Sequence, residues 1–173
     1  MNRLHPLRRM AALGLLGALA AGSVSAHITL AERTAPSGGY ARVTLQVPHG
    51  CSGRATTGLA VELPPGLASV KPMPKPGWSL AIEREPLATP MSLHGRPVTE
   101  RVTRVRWEGG SLANEHFDEF VLLVKLPDAP GPLVLRTRQS CGAETVDWSG
   151  EAGSETPAPV LRVLPAEPTA HHH

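Results

Sequence analysis

Tyr40-Ala-Arg-Val-Thr-Leu-Gln-Val47 alternates small or apolar residues with polar ones for eight positions, placing Ala41, Val43, Leu45 and Val47 on one side. That period of two is the signature of a β-strand with one face in a core. Working outward, Thr57–Leu63 repeats the pattern less cleanly. Further short strands are expected at Leu67–Val70, Trp78–Glu83, Val102–Trp107, Phe117–Leu126, Leu133–Gln139, Thr145–Trp148 and Val160–Leu164. Between them stand turn signals such as Pro64-Pro65-Gly66, Glu108-Gly109-Gly110 and Pro130-Gly131-Pro132. With 18 prolines and 17 glycines punctuating the chain, long helices are disfavoured, and an all-β sandwich is expected.

The first residues read differently. Arg3, Arg8 and Arg9 precede the apolar run Ala11–Ala21, and Val24-Ser25-Ala26 supplies the small residues of a peptidase site. Residues 1–26 are therefore expected to be a cleavable signal peptide. Residues 27–165 are expected to form one domain, and 166–173 a flexible tail ending in three histidines. Without 1–26 the charge is balanced, 14 Lys and Arg against 15 Asp and Glu, so nothing marks nucleic acid as a partner. No later apolar run reaches the roughly 20 residues of a membrane span. A periplasmic or otherwise exported protein is expected, and export places its two cysteines, Cys51 and Cys141, where pairing is the default. A two-thiolate metal site is the rival reading of the same pair.

Cleavage after Ala26 would leave His27 at the N-terminus, where its α-amine and imidazole Nδ1 can grip one ion in a six-membered ring. Nitrogen donors of this kind suit copper, nickel or zinc, with copper(II) held most tightly. The plain alternative is that some residue must follow any cleavage site. In the Phe117–Leu126 strand, alternation puts Glu119 beside Phe117, Val121 and Leu123, so this carboxylate needs a cation, donors, or a place at the rim. Trp148, ending its strand before Ser149-Gly150, is either core-edge packing or a cover for an ion. His49, in Val47-Pro-His-Gly-Cys51, is either a turn residue beside a disulfide or a ligand.

Several pieces, taken in order, resemble one family. They are Ala26-His-Ile-Thr-Leu30, Val47-Pro-His-Gly-Cys51 with Thr56-Thr57, Val70-Lys-Pro-Met-Pro-Lys-Pro-Gly-Trp78, and Val105-Arg-Trp-Glu-Gly-Gly110. After them come His116-Phe-Asp-Glu-Phe120, Gln139-Ser-Cys141, and Asp147-Trp-Ser-Gly150 with Thr156-Pro-Ala158. Together they resemble the YcnI-like copper-binding domain of exported bacterial proteins, also called a domain of unknown function. The resemblance implies an immunoglobulin- or cupredoxin-like β-sandwich that binds copper(II) through its N-terminal histidine, a glutamate and a tryptophan. Carried onto this chain, the histidine is His27 and the tryptophan Trp148. The glutamate is Glu119, with Glu32 as the alternative; the family's frequent glutamate seven residues after the histidine is here Thr34.

Three functions follow as expectations. The first is a non-enzymatic copper(II) carrier of the envelope, acting in copper homeostasis or as a metallochaperone that passes the ion to another copper-handling protein. The second is a copper oxygenase of the histidine-brace type, for which His49, His94 or His116 would supply a second imidazole. Its flat aromatic binding surface is hard to assemble from one Tyr and two Phe. The third is a structural or adhesive sandwich in which metal binding is incidental. His171-His172-His173 binds metal by itself in any assay.

Overall fold

The computed structural model describes residues 27–166, so the expected signal peptide and all but the first residue of the expected tail lie outside the described residues. Twelve strands are formed: β1 (Thr29–Leu30), β2 (Thr34–Pro36), β3 (Tyr40–Val47), β4 (Thr56–Glu62), β5 (Ser69–Pro72) and β6 (Ser79–Leu93). The others are β7 (Arg96–Leu112), β8 (Asp118–Lys125), β9 (Gly131–Val134), β10 (Thr137–Cys141), β11 (Glu144–Trp148) and β12 (Val160–Leu164). One sheet runs β1-β3-β8-β5 and faces a second running β11-β10-β4-β7-β6, while β2-β12-β9 form a small third sheet. The described chain is all-β, as the alternating pattern requires.

The two large sheets bury the apolar side of each strand against the other. From the first come Val43, Leu45, Val47, Phe120, Leu122 and Val124; from the second, Leu59, Val61, Val105 and Trp107. Phe120 stands between two indoles, 5.4 Å from Trp107 and 5.1 Å from Trp78, nearly perpendicular to Trp78. Edge-to-face pairs of this kind add about 0.5–1.5 kcal/mol beyond the area they bury. The Trp107 indole N–H is satisfied by the Met73 carbonyl at 3.0 Å, so the large ring is buried without an orphaned donor.

Three differences from the sequence expectation have local causes. Leu133–Gln139, expected as one strand, is two: β9 joins the third sheet, and β10 joins the second after a bend at Leu135-Arg136. There the Thr137 hydroxyl donates to the Leu135 carbonyl at 2.9 Å, and the Arg136 carbonyl accepts from Glu62 N–H, so the bend leaves these groups satisfied. The strands expected at Trp78–Glu83 and Val102–Trp107 extend into a hairpin of 15 and 17 residues, because the backbone ladder continues past the apolar pattern. Its tip is a two-residue turn, His94-Gly95, with both φ angles positive (50° and 73°), the backbone form that matches strand twist. The tip returns to β3, where His94 stacks on Tyr40 at 6.0 Å and shares a hydrogen bond with its hydroxyl. Finally, β1 and β2 were not anticipated, being too short to display a period.

Cys51 and Cys141 are joined, closing a sequence separation of 90 residues. Chain-entropy reasoning values a loop of that size at about 4–5 kcal/mol, an upper figure for real proteins. Cys51→Ser with Cys141→Ser is expected to lower the free energy of unfolding by about 2–5 kcal/mol in urea denaturation.

A candidate metal centre at one end of the sandwich

At Val47 the chain leaves the first sheet and crosses through Pro48-His49-Gly50-Cys51 toward β4 in the second. On the outer side of β3, the register Thr29↔Gln46 makes β1 the edge strand and brings His27 level with this crossing. Trp148 ends β11, the corresponding edge of the second sheet. The open end of the sandwich therefore collects three rings. His27 lies 5.8 Å from Trp148 at 82°, and His49 lies 6.4 Å from it at 65°. The indole itself is buried, 3% exposed, and belongs to the core cluster.

Each imidazole is turned by a backbone carbonyl. His27 Nε2 lies 3.1 Å from the Glu155 carbonyl oxygen, and a carbonyl only accepts, so the neutral ring carries its hydrogen on Nε2 and its lone pair on Nδ1. Nδ1 is the nitrogen that can share an ion with the residue's own amine. Metal-bound histidines usually donate their other ring N–H in this way, which fixes both tautomer and orientation. The Glu155 carbonyl is presented by a folded loop, in which Gly150 N–H donates to the Thr156 carbonyl and Ala158 N–H to the Gly150 carbonyl, both at 2.9 Å. His49 is held through the other ring nitrogen: its Nδ1 meets the Gly50 carbonyl oxygen at 2.5 Å.

The His49 turn is held from several sides. Gln139 Nε2 donates to the His49 carbonyl at 2.7 Å, and Gly50 N–H donates to Asn114 Oδ1 at 3.3 Å. Cys51 N–H and the Arg54 carbonyl pair at 3.1 Å, and the disulfide follows immediately. Gly50 itself is buried against that loop, where an added Cβ would fall 1.6 Å from the Arg54 carbonyl oxygen.

The expected site residues divide into two groups. His27 and Trp148 meet, as described. Glu119 is engaged by other partners: it pairs in register with Gln46, and both alternate with core-facing neighbours, which turns them to the outer face of the first sheet. Its carboxylate accepts from Gln46 Nε2 at 3.2 Å, and Gln46 in turn accepts from the Thr29 hydroxyl at 3.3 Å. The half-buried charge is thus met by an amide at the rim, with Lys75 paired to the adjacent Asp118 at 2.6 Å. Glu32 is exposed beyond the far end of β1, five residues and about 16 Å of extended chain from His27. Among the described residues no group of three or more His, Cys, Asp and Glu side chains stands together to hold a metal ion. An ion at His27 and His49 would take further donors from the amine or from water. Beside the site, Asp147 points outward to Arg138 at 2.6 Å, and that hydrogen bond holds its carboxyl below the ordinary value.

Sequence reasoning missed Gln139, which looked like any polar residue of a strand. Its one signal was its place in Gln139-Ser-Cys141, two residues before the bridged cysteine. His49 was raised as a turn residue beside the disulfide, as a ligand next to Cys51 and as the second imidazole of an oxygenase, and its approach to Trp148 depends on a sheet crossing that spacing does not reveal.

Fold and site together define an immunoglobulin-like β-sandwich carrying a histidine-tryptophan cluster at one end. The chain belongs to the family described as "Domain of unknown function (DUF1775)", which it matches over residues 27–163. It is similar to an uncharacterized protein from Nocardia farcinica whose crystal structure has an immunoglobulin-like fold. The TM-score is 0.59 and the identity 25%, covering 82% of this chain and 99% of that one. A type I cohesin of ScaB from Pseudobacteroides cellulosolvens also aligns, at TM-score 0.41 and 15% identity, over 85% of this chain and 97% of that one. No match is found among curated proteins.

Gly50→Ala is expected to force the Arg54 loop aside, costing about 1–3 kcal/mol as overpacking does. The change is read by urea denaturation, together with a shifted His49 resonance.

Proposed function

We propose that this chain is an exported copper(II)-binding protein that holds the ion at His27, through its α-amine and Nδ1, with His49 as the second imidazole and Trp148 as the wall. The observation that carries this reading is the Glu155 carbonyl on His27 Nε2, which turns Nδ1 into the chelating position. Three nitrogen donors suit copper(II). Two other features agree with it: the disulfide, which belongs to oxidising compartments, and a basic-then-apolar N-terminus ending at Ala26.

His49 is preferred to Glu119 as the second ligand because its ring, like that of His27, packs against Trp148, while the Glu119 carboxylate is engaged by Gln46 on the outer face. Both cysteines are in the disulfide, so no thiolate is available for a blue-copper electron-transfer site. Capture and transfer to another copper-handling envelope protein fit such a site. The role is non-enzymatic in this reading.

A second reading, oxidation at a histidine brace, gains from the same approach of His49. Against it, the exposed aromatic residues Tyr40 and Phe117 lie on different parts of the surface and form no flat platform. Cleavage of a polysaccharide by the copper-loaded protein with peroxide would select this reading instead.

The test uses protein processed to begin at His27 and ending at Ala170. One copper(II) per chain is expected, with nitrogen hyperfine structure in electron paramagnetic resonance. One extra residue before His27, or His49→Ala, is expected to weaken binding at least tenfold, and Glu119→Gln to leave it unchanged. Native binding by the extended protein would defeat the proposal. Loss of binding in Glu119→Gln would return the second ligand to the carboxylate.

A further inference from the structure

One buried side chain touches both walls of this cluster. Gln139 is 1% exposed on the core face of β10, and both the nitrogen and the oxygen of its amide are engaged. Its Oε1 accepts from the Trp148 indole N–H at 3.1 Å, while Nε2 donates to the His49 carbonyl and to the Thr56 hydroxyl, each at 2.7 Å. A glutamine amide has two hydrogens and one carbonyl oxygen, so every hydrogen is placed. The orientation is fixed as well. Exchanging O and N would point N–H groups at the indole N–H and a carbonyl oxygen at the His49 carbonyl.

We infer that Gln139 is the positioning residue of the metal centre, fixing the His49 turn and the Trp148 ring relative to one another so that the indole meets the ion as a ring wall and never through its nitrogen. The inference rests on the proposed reading of His27 and His49 as ligands. Its chemistry follows from the indole N–H, which is spent on Gln139 in the interior of the sandwich and is therefore not open to an ion. What Trp148 offers an ion is its π-system, which attracts cations and excludes water on one side. Gln139 also lies on the strand that carries Cys141, so disulfide, turn and ring are anchored to one rigid element.

A residue that merely stabilised the fold would also cause damage when replaced, so the comparison needs an equal loss elsewhere. Thr137, 2% exposed on the same strand and paired in register with Trp148, donates its hydroxyl to the Leu135 carbonyl and makes no side-chain hydrogen bond to either ring, so it controls for damage to this strand pair. Gln139→Met and Thr137→Val are compared in the chain beginning at His27. Copper(II) alone is the probe, and the Trp148 indole N–H is followed by nuclear magnetic resonance.

Gln139→Met is expected to weaken copper binding about 10- to 100-fold, the usual effect of removing a group that orients a ligand. It should also shift the indole N–H signal and strip its protection from exchange. Thr137→Val should keep the native affinity and the native indole signal. Native affinity or an unmoved indole signal in Gln139→Met would overturn the inference, as would equal loss of copper in Thr137→Val. Should Gln139→Met fail to fold, Gln139→Glu keeps the acceptor for Trp148 and gives up amide donors to the His49 turn. It should retain the indole signal yet lose copper affinity, and native affinity in that variant would equally overturn the inference. If the native chain itself binds no copper, the proposed function falls, while the indole signal still decides whether Gln139 holds the ring.

Discussion

Everything at the candidate site depends on one crossing, the five residues Val47 to Cys51 that carry the chain from one sheet to the other. A crossing segment lacks the ladder bonds that hold a strand, so its geometry must be fixed by other means. Here the disulfide to β10, the Gln139 amide and the close approach of Gly50 to Arg54 supply them. A histidine on a surface loop would sample many orientations. This one is held against an indole that is itself part of the core.

Much of the fold was legible because burial imposes a period. Tyr40–Val47 forms over the residues that its alternation marks, since Val43, Leu45 and Val47 must all face the second sheet. The disulfide followed from two cysteines and an expected oxidising destination. What stayed hidden was structure held by backbone pairing alone: the outer half of the β6–β7 hairpin is exposed and polar, so no apolar rhythm announces it. The division of Leu133–Gln139 was hidden for a related reason. Both halves alternate, and only the change of sheet separates them.

The candidate site was legible in part for chemical reasons. His27 stood out by its place after an expected cleavage site and Trp148 by its place in the family's pattern, and the two rings do meet. Glu119 drew attention because a carboxylate among apolar neighbours is costly. Those neighbours, however, include exposed Phe117 and Leu123, and an amide on the next strand meets the charge. The desolvation that would have demanded a cation is therefore largely absent. His49 and Gln139 gave weaker signals, because their importance comes from three strands converging at one point.

The long hairpin has a consequence of another kind. Its strand β6 is the outermost of the second sheet and runs 15 residues with one side unpaired, the sort of border on which chains add to one another and precipitate. Pro86 and Pro90 have no amide hydrogen to give, the ladder register jumps between Pro86 and Met91, and Glu83, Arg84 and Glu85 put charge along the same border. A neighbouring molecule would find an interrupted row of donors and a charged approach. The strand is built to stay a margin, and strand addition by a second copy is disfavoured there.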